Sequence, residues 1–216
     1  MHRNQNYLVY VKHQTDEKIN RKKRTSWKVS IDGSSKELLI NGAGNSYSPI
    51  FSLDGLKLAY LSDISGTNEI FILDLNTQKT NKVIGAASRI NPLSWSSNGK
   101  VIAFNQFVGD TKDASPAFGS PLSGKLTKPA IEIENELYRT DNSSYLGEGV
   151  MQLFVANLED NYLKQLTLAS YDHLSAISWL PDNNTLYFST NRSGKKELKP
   201  LNTNIYTANI QTGDLT

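Results

Sequence analysis

Tyr47-Ser-Pro-Ile-Phe-Ser-Leu-Asp-Gly-Leu-Lys-Leu-Ala-Tyr60 runs an apolar stretch up to an aromatic residue, turns through Asp54-Gly55 and returns with alternating apolar side chains. The same template recurs at Ile90-Asn-Pro-Leu-Ser-Trp-Ser-Ser-Asn-Gly-Lys-Val-Ile-Ala-Phe104 and at Ala176-Ile-Ser-Trp-Leu-Pro-Asp-Asn-Asn-Thr-Leu-Tyr-Phe188. Period-two alternation on both sides of a polar turn specifies a β-hairpin and its register. The turns Asp54-Gly55, Asn98-Gly99 and Asp182-Asn183 supply residues that tolerate positive φ, which a tight connection between twisted strands requires.

Each hairpin is followed by a third strand (Glu69 to Leu75, Val150 to Leu158, Asn204 to Ile210) and a shorter fourth (Thr80 to Ile84, Tyr162 to Thr167, Asp214 onward). One such unit takes about 40 residues, the period of a β-propeller blade. The spacing from Trp95 to Trp179 is nearly twice that from Phe51 to Trp95, so the third unit carries a large insertion between Gln106 and Val150. At the start, Asn6 to Val11, Trp27 to Asp32 and Lys36 to Ile40 match strands two, three and four, with no first strand. The expected fold is all-β: one partial β-propeller domain over 1–216, with about four four-stranded antiparallel blades, incomplete at both ends. The units span about 1–41, 45–85, 88–167 with insertion 107–149, and 171–216. Such a fragment, with open blade edges, is expected to self-associate.

Charge is nearly balanced, 23 Lys plus Arg against 21 Asp plus Glu, which gives no general attraction to nucleic acid or to an anionic membrane. The basic run Lys18 to Arg24 is the local exception; it falls in a long polar loop, Lys12 to Ser26, and reads as a solvated tip or a contact for an acidic partner. With no cysteine there is no disulfide, no thiolate chemistry and no cysteine zinc site. His2, His13 and His173 share no metal-ligand spacing, and no cofactor is expected. Met1 to Asn6 lead into a strand with no apolar segment long enough for a signal peptide or a membrane span, so the compartment stays open.

The aromatic-Ser-x-Asp/Asn-Gly turn resembles the repeats shared by TolB-like proteins and the prolyl oligopeptidase family. The third unit runs through Leu137-Tyr-Arg-Thr-Asp-Asn-Ser-Ser-Tyr145 and Met151-Gln-Leu-Phe-Val-Ala-Asn-Leu to Lys164-Gln-Leu-Thr167. Together with the polar segment before Trp27-Lys-Val-Ser-Ile-Asp-Gly, it is similar to the N-terminal propeller of the acylaminoacyl-peptidase and dipeptidyl-peptidase branch. That branch carries a Tyr-Arg-x-Asp-Gly-x-Gly-Tyr-like segment; Asn142 and Ser144 stand here where glycines are usual. The resemblance implies a propeller that gates and positions short peptides for an α/β-hydrolase domain bearing serine, aspartate and histidine. No Gly-x-Ser-x-Gly nucleophile elbow occurs in this sequence, so the chain is expected to be inactive alone. The alternative from the same repeats is a TolB-like module that docks another protein without chemistry.

Candidate substrate contacts are the alternating carboxylates Glu132, Glu134 and Glu136, which could pair with a substrate ammonium group, and Arg139, whose planar fork could hold a carboxylate or carbonyl, or else pair with Asp141. The ordinary reading of the glutamates is the exposed face of an insertion strand. His173 is expected to be structural or solvated rather than catalytic, since it and its neighbour Asp172 point to opposite faces of an extended chain. Trp27, Phe51, Trp95 and Trp179 are expected to fill the core at repeat-equivalent positions. The segment Asp110 to Gly124, rich in small and turn-forming residues, is expected to be mobile.

Overall fold

The computed structural model describes residues 6–16, 21–42, 44–87, 89–110, 139–140, 143–145, 148–173, 176–193, 198–199 and 201–216. All regular elements in it are strands. Strands β1 (Tyr7–Asp16), β2 (Arg21–Ser30) and β3 (Lys36–Leu38) form the first sheet. Strands β4 (Ser46–Phe51), β5 (Lys57–Ser62), β6 (Asn68–Asp74) and β7 (Thr80–Ala87) form the second in sequential order. The third contains β8 (Ile90–Trp95) and β9 (Val101–Asp110), then, past the short pair β10 (Arg139–Thr140) and β11 (Ser143–Tyr145), β12 (Glu148–Asn157) and β13 (Tyr162–Gln165). The last has β14 (Ile177–Trp179), β15 (Thr185–Thr190) and β16 (Asn204–Asn209), with an isolated antiparallel bridge from Ala208 to Leu215. Every pairing is antiparallel.

The turns repeat atom for atom. Ser52 and Ser96 each accept through Oγ the N–H of the residue that starts the second strand, Lys57 or Val101, at 3.0 Å. Asp54 and Asn98 cap the intervening N–H of Leu56 and Lys100 at 2.9 and 3.1 Å. Gly55, Gly99 and Asn183 occupy the left-handed position, at φ 73°, 67° and 57°. The third turn has Leu180 where the others have serine, and Asp182 takes over its role. Its Oδ1 accepts the N–H of Asn184 and of Thr185, both at 2.9 Å, while Oδ2 takes the Thr185 hydroxyl at 2.7 Å. These bonds favour the ionised acid and hold its pKa below the usual carboxylate range.

A second repeated bond aligns the incomplete first sheet with the rest. The residue after the third strand donates its N–H to the residue before the second strand: Leu75 to Leu56, Leu158 to Lys100, Ile210 to Asn184 and Ile31 to Asn6, at 2.8 to 2.9 Å. Strands β1, β2 and β3 are thus strands two, three and four of their blade.

Alternation along each strand feeds two cores. In the second and third blades, Ala59, Leu61, Ile70 and Ile72 meet Ile90, Leu93, Ile102, Phe104, Phe154 and Ala156. The other faces of those strands go elsewhere: Leu58, Tyr60 and Leu73 pack toward Val9, Leu39 and Ile40 of the first blade. Val101, Ala103, Leu153 and Val155 meet Ile177, Leu186, Phe188, Ala208 and Ile210 of the fourth. Apolar burial between neighbours is what holds a blade array together.

Phe51, Trp95 and Trp179 each close the first strand of a sheet and pair with Leu58, Ile102 and Leu186 in the same register. Their equivalence holds, and each packs against a core. All three are half-buried, at the edge of a core, and reach across a seam. Trp95 Nε1 donates to Ile50 O and Trp179 Nε1 to Ser94 O, both at 3.3 Å. Phe51 meets Tyr7 of the first blade edge-on, with centroids 6.0 Å apart. Trp27 departs from the expected set: it sits on a third strand, opposite Tyr10, and alternation turns it away from the Val9 face.

The expected loop from Lys12 to Ser26 is corrected as well. Its described residues continue the two strands, with His13 opposite Arg24 and Asp16 opposite Arg21. The polar sequence hid this, since a ribbon held by its backbone ladder needs no apolar alternation.

Candidate functional site

The connections between second and third strands emerge on one rim, and there the first three blades differ. The second blade closes with a tight turn at Asp63–Gly66. In the first, β1 and β2 run past the end of β3, which reaches only Trp27 on its partner. In the third, β9 and β12 run on to the pair Asp110 and Glu148, beyond the last β8 contact at Gln106. This rim is the candidate site.

Where the long strands leave their blades, the loop entering the next blade clamps them. Arg24 N–H donates to Asn45 Oδ1 at 2.6 Å, and Met151 N–H to Asp172 Oδ1 at 2.9 Å, at equivalent positions of the third strand. Asn45 is itself fixed by Asp63, which accepts its backbone N–H at 2.7 Å and its side-chain N–H at 2.6 Å. The Arg24 guanidinium lies 4.0 Å over the Tyr47 ring, and the Tyr47 hydroxyl bonds Asn68 Oδ1. Burial keeps the Tyr47 phenol above its usual range despite the pull of Arg24. Ser48 beside it has φ 52°, a left-handed non-glycine residue in a bulge of the innermost strand.

On the side of the third and fourth blades the rim is buried and polar. Gln152 accepts the Thr167 hydroxyl at 2.7 Å and donates to Ala169 O at 2.7 Å, while Thr167 Oγ1 accepts Leu153 N–H at 2.9 Å. The Gln-Leu-Thr tail thereby closes the blade. His173 is fully buried among Tyr171, Phe188 and Met151. Its backbone N–H and its ring Nδ1 both point at Met151 O, at 2.9 and 3.1 Å, so Nδ1 carries the proton. The structural reading of His173 is supported, although the expected alternation of Asp172 and His173 serves a joint clamp on Met151. Arg192, which sequence reasoning passed over, stacks 3.5 Å from the Tyr206 ring centroid and 5.4 Å from that of Tyr171. At the start of β6 the buried Glu69 pairs with Lys82 at 2.9 Å, which holds its pKa low.

The pKa of His173 is lowered, first by burial and further by the Arg192 charge. The folded chain therefore resists protonating it, whereas the unfolded chain protonates it near the ordinary value of 6.5. Stability from this group is full above that value and is lost as pH falls through it. Urea midpoints are expected to drop between about pH 7.5 and pH 5, and His173→Gln is expected to flatten that step. An unchanged step in the variant would assign it to another group.

Of the residues proposed from sequence, Glu132, Glu134 and Glu136 lie outside the described residues, as does most of the segment Asp110 to Gly124. Arg139 lies in β10, with its backbone opposite Tyr145 of β11, the strand that contains Ser144. Among the described residues, no three of His, Asp or Glu gather as a metal site.

No family model matches the chain. By sequence it is 22% identical over 220 residues to dipeptidyl-peptidase 5 of Porphyromonas gingivalis, covering 95% of this chain and 31% of that protein. It is 21% identical over 184 residues to the Bacillus subtilis peptidase YuxL, covering 85% of this chain and 27% of that one. The chain thus spans less than a third of the curated relatives it matches. By fold it superposes on Pyrococcus horikoshii acylaminoacyl peptidase with a TM-score of 0.69 at 17% identity, over 100% of this chain and 31% of the other. Against TolB from Acinetobacter baumannii the TM-score is 0.59 at 17% identity, over 98% and 41%. The relatives by sequence are peptidases, the relatives by fold are peptidase and TolB propellers, and both agree with the resemblance to the prolyl oligopeptidase family that the repeats carry.

Proposed function

We propose that this chain is the propeller portion of a serine peptidase of the acylaminoacyl-peptidase or dipeptidyl-peptidase type, and that it gates and positions short peptides. The observation that carries the reading is the sequence relation to two peptidases over 95% and 85% of the chain. The rim fits the role: the strand pairs of the first and third blades run on past their blades while the second blade between them closes in a short turn, and strand pairs projecting beside a site restrict what reaches it. Chemistry belongs to an α/β-hydrolase domain, because this sequence has no Gly-x-Ser-x-Gly elbow. Glu132, Glu134, Glu136 and Arg139 are proposed to contact substrate termini from the insertion. The second reading, a TolB-like docking module, is favoured by the superposition on TolB.

The purified chain is expected to leave a fluorophosphonate probe unreacted and to turn over no acyl-peptide or dipeptidyl chromogenic substrate. A polypeptide joining it to a hydrolase domain is expected to react with the probe and to turn over such substrates. Turnover by the chain alone overturns the division of labour, and failure of the joined polypeptide on every short peptide favours the docking module.

A further inference from the structure

The ribbon of the first blade is an unusual extension. Past Val11 and Ser26, the strands β1 and β2 carry on as a two-stranded ladder whose described side chains are almost all polar. Such a ribbon gains little from its own packing. It is nevertheless fixed to the body: Asn45 holds the Arg24 N–H, and the Arg24 guanidinium lies on Tyr47.

Both of its faces are cationic. Alternation puts Lys12 and Lys23 on one side and Lys22 and Arg24 on the other, with His13 opposite Arg24. Lys22 and Lys23 are exposed, and among the described side chains no carboxylate lies in ion-pair range of either. In a chain of net charge +2 this is a local concentration of charge rather than part of a broad basic surface.

We infer that the β1–β2 ribbon is a docking arm for an acidic peptide segment; resting on the peptidase reading, that segment is the substrate, so the enzyme would favour peptides rich in Asp and Glu. Charge complementarity identifies the occupant, and the shape of the patch narrows it further. Nucleic acid binding draws on about six to ten phosphate contacts or on open aromatic faces for bases. The ribbon offers four described cations, and the half-buried aromatics near it already face cations. Arg24 lies on Tyr47, while Lys12 and Lys36 sit 5.7 and 5.6 Å from the Trp27 ring. A few carboxylates on an extended peptide match that number, and attraction by such a patch acts mainly through encounter rate and is screened by salt.

The test is direct binding, which needs no hydrolase domain. Fluorescein-labelled hexaglutamate, a neutral Gly-Ser hexapeptide and hexalysine are titrated into the 216-residue chain, with anisotropy as the readout at low and at high salt. Hexaglutamate is expected to bind, and to weaken by roughly tenfold as salt screens the contact. The double variant Lys22→Glu, Lys23→Glu is expected to lose at least about tenfold in affinity with an unchanged thermal transition, since neither side chain packs in a core. Equal binding of the neutral or basic peptide, indifference to the charge reversal, or tighter binding of a single-stranded oligonucleotide each overturns the assignment. Binding without turnover in a hydrolase-bearing polypeptide leaves the arm standing and removes the peptidase reading; turnover with no acidic preference does the reverse.

Discussion

Phe104→Ala is expected to destabilise the chain by about 3–5 kcal/mol, the cost of deleting a fully buried aromatic ring and leaving its cavity. Phe104 has no exposed surface, stacks on Phe154 with centroids 5.7 Å apart, and belongs to the core joining the second and third blades. The damage is therefore to a seam, and the urea transition is expected to lose cooperativity as well as midpoint, with the second blade separating from the third. The half-buried Trp95, the more conspicuous residue in the sequence, is expected to cost less when truncated. A smaller loss at Phe104 than at Trp95 would show that the indoles across the seams, and not the alternating cores, dominate.

Thr167→Val is expected to cost about 1–3 kcal/mol although the side chains are nearly isosteric. The substitution leaves Leu153 N–H without its acceptor in a place closed to water, which costs about 1–3 kcal/mol, while Gln152 Oε1 loses one of two donors and keeps the Ala169 N–H at 3.2 Å. Thr167→Ser keeps the hydroxyl and is expected to recover most of the difference. Chemical denaturation of the three proteins side by side decides it: a valine variant as stable as the serine variant would mean that the hydroxyl network contributes nothing net.

The hairpin template was legible because three physical signals coincide in it: alternation, an aromatic at the strand end, and a left-handed turn residue. Even the degenerate turn kept its geometry, since Asp182 supplies the oxygens that serine gives elsewhere. The ribbon from Lys12 to Ser26 was not legible. Its order comes from ladder bonds and from a clamp contributed by Asn45, far along the chain, and neither leaves a local pattern. The burial of His173 was only half legible, because its partner Met151 lies on a strand of the preceding blade. Arg192 could have been noticed as the cation flanked in sequence by polar residues yet followed, one strand later, by Tyr206; the stacking itself is tertiary.

The two indole bonds fix more than two contacts. Trp95 reaches Ile50 O and Trp179 reaches Ser94 O at the same distance and from the same register position, so the third and fourth blades measure their rotation from the blade before against the same molecular ruler. A constant step between neighbours makes the arc one of constant curvature, and curvature is what sets how many blades fit a full turn. Phe51 has no N–H to offer and uses an edge-on ring contact with Tyr7 instead, so the seam between the first and second blades is the one whose angle can differ from the rest.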